Sequence, residues 1–342
     1  MRILLLAFGI LAAAMTVSAG RAQNAPGPTL SNVLKKGFVE CAVPSNIPGF
    51  GYMDSKGEFR GLDTDTCRAV AAAIFGDATH AKFVPTQGPQ RMPALQSGQV
   101  DLVVQLLTQT QPREAATGLL FTGVNFYDGQ SFLVRRSSGI KRAKDLDGAS
   151  VCVIAGGTSE LNLADWARST GISIHAVVFE SFAEGRDAYN TGRCDSYTNN
   201  WSQLAAVATV MRDPDNQMVL PDIISKEPLG PAVRQGDDQW YEIVKWTLVA
   251  LIEAEEQGIT QANLDEKLKS DVPQVKRLLG VVGDFGRLMA LDNRWAYYAI
   301  KAVGNYGEMF DRNLGESSPL KLPRGKNDLW TRGGLMYAPP IR

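Results

Sequence analysis

The chain has 342 residues, 44% of them apolar and 21% charged, with 35 Lys and Arg against 36 Asp and Glu. Such a chain can bury the cores of two ordinary domains. Its composition excludes a disordered polymer, and its charge balance excludes a strongly basic nucleic-acid binder. The 33 glycines follow no collagen-type repeat, and His80 and His175 stand too far apart to found a histidine metal site, so neither a metal nor a cofactor is expected.

The N-terminus reads as a leader. Arg2 precedes an almost wholly apolar run over residues 3–17, followed by Ser18, Ala19, Gly20 and Ala22. A charged start, an apolar stretch and a small-x-small site make a secretory signal peptide, cleaved after Ala19 or Ala22 and assigned here to residues 1–22. The competing reading, a membrane anchor, wants about 20 apolar residues. No later stretch reaches that length, and residues 243–254 carry Lys245 and Glu253 as an amphipathic helix would. Export to the periplasm follows. It places Cys41, Cys67, Cys152 and Cys194 where disulfides persist. Four cysteines allow three pairings, and the sequence does not choose among them. Two fall early and two in the middle, which suggests one staple in each of two units. A zinc site is the weaker reading, since no Cys-x-x-Cys occurs.

In chain order, residues 30–37 form a short helix ending at Gly37, and 38–43 a strand. A turn-rich segment covers 44–51, with a hairpin turn at 54–57. Residues 63–75 form a helix with Cys67, Val70, Ala71 and Ile74 on one face. Residues 81–85 are a strand, 91–97 a helix stopped by Gly98, 100–106 a buried strand and 132–134 another. The alternation then repeats. A small helix and turn at 140–148 and a strand at 150–154 come first. A glycine loop leads to a helix at 159–169, then a strand at 176–179, a helix at 182–191 and a strand at 196–198. Strands alternating with helices imply a parallel sheet covered on both faces, here twice in series. From residue 240 the chain is largely helical, and 320–342 reads as a wrapped tail rich in Pro and Gly.

Several runs carry a family resemblance. They are GLDTDTCRAVAAAIFGDA at 61–78, ALQSGQVD at 94–101, DGQ at 128–130, ELNLAD at 160–165 and, most specifically, LPDIISKEPLGPAVRQGDDQW at 220–240. Together they resemble the periplasmic solute-binding proteins of ABC transporters for polar amino acids, in particular the general L-amino-acid-binding subfamily, over nearly all of the mature chain. The resemblance implies an α/β, two-lobed periplasmic-binding-protein-like fold with the ligand in a cleft between lobes joined by two crossings. The crossings are expected near residues 130–134 and 229–234. Lobe 1 would hold 29–132 and 231–342, and lobe 2 would hold 133–230. The resemblance also supports the local pairs Cys41–Cys67 and Cys152–Cys194.

The chemistry of such a cleft follows from its ligand. An α-amino acid is a zwitterion whose carboxylate wants a bidentate arginine and helix-start N–H groups, and whose ammonium wants carboxylate or carbonyl oxygens. By resemblance, Arg113 aligns with the family's carboxylate clamp, Thr108 with a hydroxyl beside it, and Thr158, after Gly156-Gly157, with a further carboxylate contact. The glycine loop lacks the Lys-Ser/Thr that follows glycine in a nucleotide P-loop. Asn200 stands where the family usually has the aspartate that meets the ammonium. Asparagine offers a carbonyl oxygen and no charge. Residues 104–107 (VQLL) are more apolar than the family's run, and Trp201 adds an aromatic face. These departures suggest altered specificity: a carboxylated ligand with a weak or blocked ammonium, or an amino acid held by carbonyls elsewhere. Asn46, Phe50 and Tyr52 lie where the family places a polar contact and an aromatic platform. Arg91 reads as a structural residue at a sheet edge, and Gly280-Val-Val-Gly-Asp-Phe-Gly286 as turns.

The implied function is to capture an L-amino acid or a carboxylated derivative and deliver it to a membrane permease, as a monomer and without turnover. The alternatives are a secreted dehydratase-like enzyme on the same scaffold, which would need a general acid or base in the cleft, and a sensory ligand-binding protein that docks to a receptor.

Overall fold

The computed structural model describes residues 25–342; the leader assigned to residues 1–22 lies outside the described residues. Two five-stranded sheets organise the chain. In the first, Val39–Val43 runs parallel to Ala81–Pro85 on one side and to Leu102–Val103 on the other; Ala232–Arg234 and Leu119–Phe121 complete the sheet. In the second, Ser150–Ile154 lies parallel between His175–Phe179 and Ser196–Asn200, and Gln130–Arg135 and Gln217–Val219 follow. Both sheets therefore share one plan.

The sheets are mixed, not purely parallel as the alternation of elements implies. In each, the antiparallel strand has just arrived from the other half: Gln130–Arg135 enters the second sheet and Ala232–Arg234 returns to the first. A strand inserted from the opposite lobe meets its new neighbours head to tail, which the βαβ rule does not cover.

The crossings also fall elsewhere than expected. Phe126–Asp128 pairs antiparallel with Glu227–Leu229, while residues 130–135 and 232–234 lie inside the lobe sheets. The reason is burial. The apolar run at 132–134 suits a sheet interior, where Phe132, Leu133 and Val134 are fully buried. The linking strands carry Tyr127, Asp128 and Glu227 and stand apart from both sheets.

The first lobe is built from both ends of the chain. Helix Pro28–Lys36 is fastened to helix Asp238–Glu256 through Asp237, whose carboxylate accepts from Thr29 N–H at 2.8 Å and caps Trp240 N–H at 3.0 Å. The Trp240 indole donates to the Asp101 carbonyl at 2.9 Å, under the sheet. Helix Leu62–Phe75 is almost wholly buried and packs with Asp238–Glu256 and Trp295–Val303 in one continuous apolar core. Its start requires glycine: Gly61 has φ 134°, and a Cβ there would stand 2.1 Å from the Phe50 carbonyl oxygen. The expected strand at 100–106 is shorter, Leu102–Val103, because the chain leaves the sheet and reaches positive φ (41°) at Leu106, on its way to the cleft. No helix among the described residues is long and apolar enough to cross a membrane.

Each lobe carries one disulfide. Cys41–Cys67 ties the central strand of the first sheet to helix Leu62–Phe75, and Cys152–Cys194 ties the corresponding strand of the second to the turn before Ser196–Asn200. The Cys152–Cys194 bridge closes the longer loop, with a separation of 42 residues against 26. Replacing both Cys152 and Cys194 by Ala is expected to cost about 2–4 kcal/mol, through the entropy returned to the unfolded chain. Denaturant titration reads this directly, and an unchanged midpoint would contradict the role.

Candidate functional site

The two sheets present their loops to one another across a cleft. A cavity of about 30 Å³ lies there, bordered among others by Arg91, Thr108, Thr158, Asn199, Asn200 and Gln203. A single water needs roughly 10–15 Å³, so any larger solute enters only as the lobes part.

Arg91 opens helix Arg91–Gln96 and is 5% exposed. One guanidinium nitrogen, Nη1, donates to the Gln105 carbonyl at 2.8 Å, while Nε has no partner. Gln203 Nε2, on the same cavity, is also without one. Two buried donors without partners, on residues that border one cavity, make a site that wants acceptors, because an unmade buried hydrogen bond costs about 1–3 kcal/mol. Burial holds Arg91 down at about 9, and the nearby Arg113 charge pushes the same way, with Asp63 and Glu227 opposing. Arg113, on the short helix Gln111–Thr117, is likewise lowered by burial and supported by Glu227. Its Nη1 donates to the Thr108 carbonyl at 2.7 Å, which braces the loop. Asp63 fixes the other end, accepting from Leu106 N–H at 3.0 Å and Asn125 Nδ2 at 3.2 Å; burial pushes its carboxyl up to about 7. Two buried guanidiniums thus lie near Glu227; Arg91 borders the cavity and Arg113, the expected carboxylate clamp, does not.

Glu227, which sequence reasoning did not single out, is 1% exposed and accepts four hydrogen bonds. Thr158 Oγ1 donates to Oε2 at 2.9 Å and Thr108 Oγ1 donates to the same oxygen. Asn162 Nδ2 donates to Oε1 at 2.6 Å and Ser225 Oγ to Oε1 at 2.8 Å. Thr108 and Thr158, the two hydroxyls expected to meet a ligand carboxylate, do come together, 3.3 Å apart, but both are engaged by a carboxylate of the chain itself. The signal was present in the sequence: Glu227 is the one acid in the Ser-Lys-Glu-Pro part of the 220–240 run.

The other expected residues separate. Asn200 ends strand Ser196–Asn200, is 4% exposed and borders the cavity with Asn199. Asn46 sits in a small three-stranded sheet opposite Tyr52, and Phe50 is buried in the first lobe's core, edge-on to Phe126 at 5.2 Å. Neither Asn46 nor Phe50 borders this cavity. Trp201 instead opens the next helix, its N–H donating to the Gly129 carbonyl at 2.7 Å. Arg91, expected at a sheet edge for structural reasons, borders the cavity; no local pattern distinguishes it from a surface arginine. Among the described residues, no group of three His, Cys, Asp or Glu side chains is placed to hold a metal.

Asp128 pairs with Glu227 in the crossing. It accepts from Gly129 N–H at 2.8 Å and from the Ser202 hydroxyl. Burial, with a smaller contribution from the Glu227 charge, pushes its carboxyl up to about 7 against those bonds.

The sequence profile of the bacterial extracellular solute-binding proteins, family 3, matches residues 39–262. The general L-amino acid-binding periplasmic protein AapJ of Rhizobium johnstonii is 49% identical over 340 residues, which cover 99% of each chain. The glutamate/glutamine/aspartate/asparagine-binding protein BztA of Rhodobacter capsulatus is 45% identical over 98% of each. A solved ABC transporter periplasmic binding protein from Brucella ovis, with glutathione bound, superposes with a TM-score of 0.90 at 49% identity, covering 93% of this chain and all of that one.

The raised carboxyl of Asp128 has a testable consequence. Its folded value, about 7, lies above the unfolded 3.8. Between them the folded state holds more protons, so this group lowers stability as pH rises through that window, and its effect levels off above it. Asp128→Asn removes the ionisation. Thermal unfolding between pH of about 4.5 and 8 should therefore decline less with pH in the variant than in wild type. An identical pH profile would contradict the assignment.

Proposed function

The chain belongs to the bacterial extracellular solute-binding proteins of family 3, and on that premise we propose that it is the periplasmic capture component of an ABC importer, taking up carboxylated amino-acid derivatives and handing them to a membrane permease as a monomer. The observation that carries this reading is Arg91, a buried guanidinium that borders the inter-lobe cavity, has an unpartnered Nε and lies close enough to Arg113 to feel its charge. A ligand carboxylate there would satisfy Nε and relieve the repulsion between the two arginines. Arg113 remains the proposed second contact, with Thr108 and Thr158 on the same rim.

The nitrogen end of the ligand meets different chemistry. Among the described residues no carboxylate borders the cavity, and its side-chain acceptors are neutral: the amides of Asn199, Asn200 and Gln203 and the hydroxyls of Thr108, Thr158 and Ser159. Neutral acceptors suit an N–H that carries no charge better than an ammonium, whose desolvation they do not offset. We therefore place the ligand among amino acids whose nitrogen is acylated or peptide-linked. Glutathione, bound by the Brucella ovis relative, has two peptide-linked nitrogens, and its γ-glutamyl end keeps a free ammonium. The bordering side chains include no carboxylate, histidine or cysteine to move a proton near neutral pH, which favours binding without turnover over a dehydratase-like activity. The Brucella ovis relative, described as an ABC transporter periplasmic binding protein, favours the importer over a sensory receptor as partner.

Calorimetry with glutathione and a panel of free and N-acetylated amino acids tests both halves of the reading. Arg91→Met is expected to weaken binding by about 2–5 kcal/mol, roughly 30-fold or more, while wild type prefers blocked over free nitrogen. Asn200→Asp should reverse that preference. An unaltered Kd in a folded Arg91→Met protein would sink the anion site, and a wild-type preference for free amino acids would sink the proposed ligand class.

A further inference from the structure

We infer that Glu227 is a closing latch: a resident carboxylate that docks onto the first turn of the second lobe's helix Thr158–Thr170 whenever the lobes come together. This rests on the reading above only in that the cleft works by closure.

The strand bearing Glu227 is fastened to the first lobe. Gln109 N–H donates to the Pro228 carbonyl at 2.8 Å, Gly230 N–H donates to the Leu107 carbonyl at 3.0 Å, and Thr108 bridges to Leu229. Thr108 and its hydroxyl bond to Glu227 therefore travel with Glu227. Thr158 and Asn162 do not. They lie four residues apart on one face of a 13-residue helix of the second lobe, and both donate to the same carboxylate, one to each oxygen. Parting the lobes breaks these two bonds and removes an anion from the positive end of that helix, while the bond from Thr108 remains. A carboxylate left at the cleft face without half its donors recovers hydration only in part, so the closed arrangement gains from it.

Asn162 separates the latch from ligand contact, because it does not border the cavity. Small-angle scattering on the ligand-free protein reads lobe separation for wild type, Glu227→Gln and Asn162→Ala. Losing one or two bonds to a charged acceptor is expected to move the closed-to-open ratio about tenfold or more toward open, with a larger radius of gyration in both variants and thermal unfolding still cooperative. Glutathione, as a probe, should then dissociate faster from Asn162→Ala. Unchanged scattering in two folded variants would overturn the latch. Failure of glutathione to bind any of the proteins would count against the proposed ligand and leave the scattering result to decide the latch.

Discussion

The buried carboxylate of Glu227 is the interaction on which the junction between the lobes depends. It takes hydrogen bonds from Thr108, Thr158, Asn162 and Ser225, so one side chain joins the first lobe's loop, the second lobe's helix and the strand that links them. A charge so placed dictates its surroundings. It supports the ionised forms of Arg91 and Arg113 against burial, and it adds to the pressure that raises Asp128 beside it. It also commits the hydroxyls of Thr108 and Thr158, so that Arg91 Nε and Gln203 Nε2 are left as the unmet donors of the cleft.

The crossing that holds Glu227 is braced from the far side by the last part of the chain. Tyr127 N–H donates to Asn327 Oδ1 at 2.6 Å and its carbonyl accepts from Asn327 Nδ2 at 3.1 Å, so an amide side chain takes the place of a third strand. Tyr306 hydroxyl donates to the Asn125 carbonyl at 2.8 Å, and Arg324 lies over the Tyr306 and Phe310 rings while bonding Glu255 at 3.0 Å. The segment after residue 262, beyond the stretch matched by the family profile, thus braces the linking strand Phe126–Asp128.

Much of this was legible from the sequence, because the signals were local. Alternating apolar runs and glycine stops marked the strands at 38–43, 81–85, 150–154, 176–179 and 196–198 and the helices between them, but missed the strands at 119–121, 217–219 and 232–234 and the helices at 111–117 and 201–208. The wrong crossings came from a fact periodicity cannot express: an apolar run marks burial and says nothing of which sheet buries it. Gln130–Arg135 and Ala232–Arg234 are buried as sheet strands, and the links fall on the short paired strands beside them, Phe126–Asp128 and Glu227–Leu229. The site was half legible. Thr108, Thr158 and Asn200 all border the cavity, whereas Arg91 and Glu227 acquire their chemistry from desolvation and from partners as far as 119 residues away. Phe50 shows the converse, a residue type that suits a ligand platform but is claimed by the core.

The central claim is that the cleft is an anion site built around Arg91. A crystal structure of the protein with glutathione tests it most directly. A ligand carboxylate oxygen within about 2.7–3.2 Å of Arg91 Nε is the expected result. A bound ligand whose carboxylates all lie elsewhere, with Arg91 Nε still unpartnered, would contradict it.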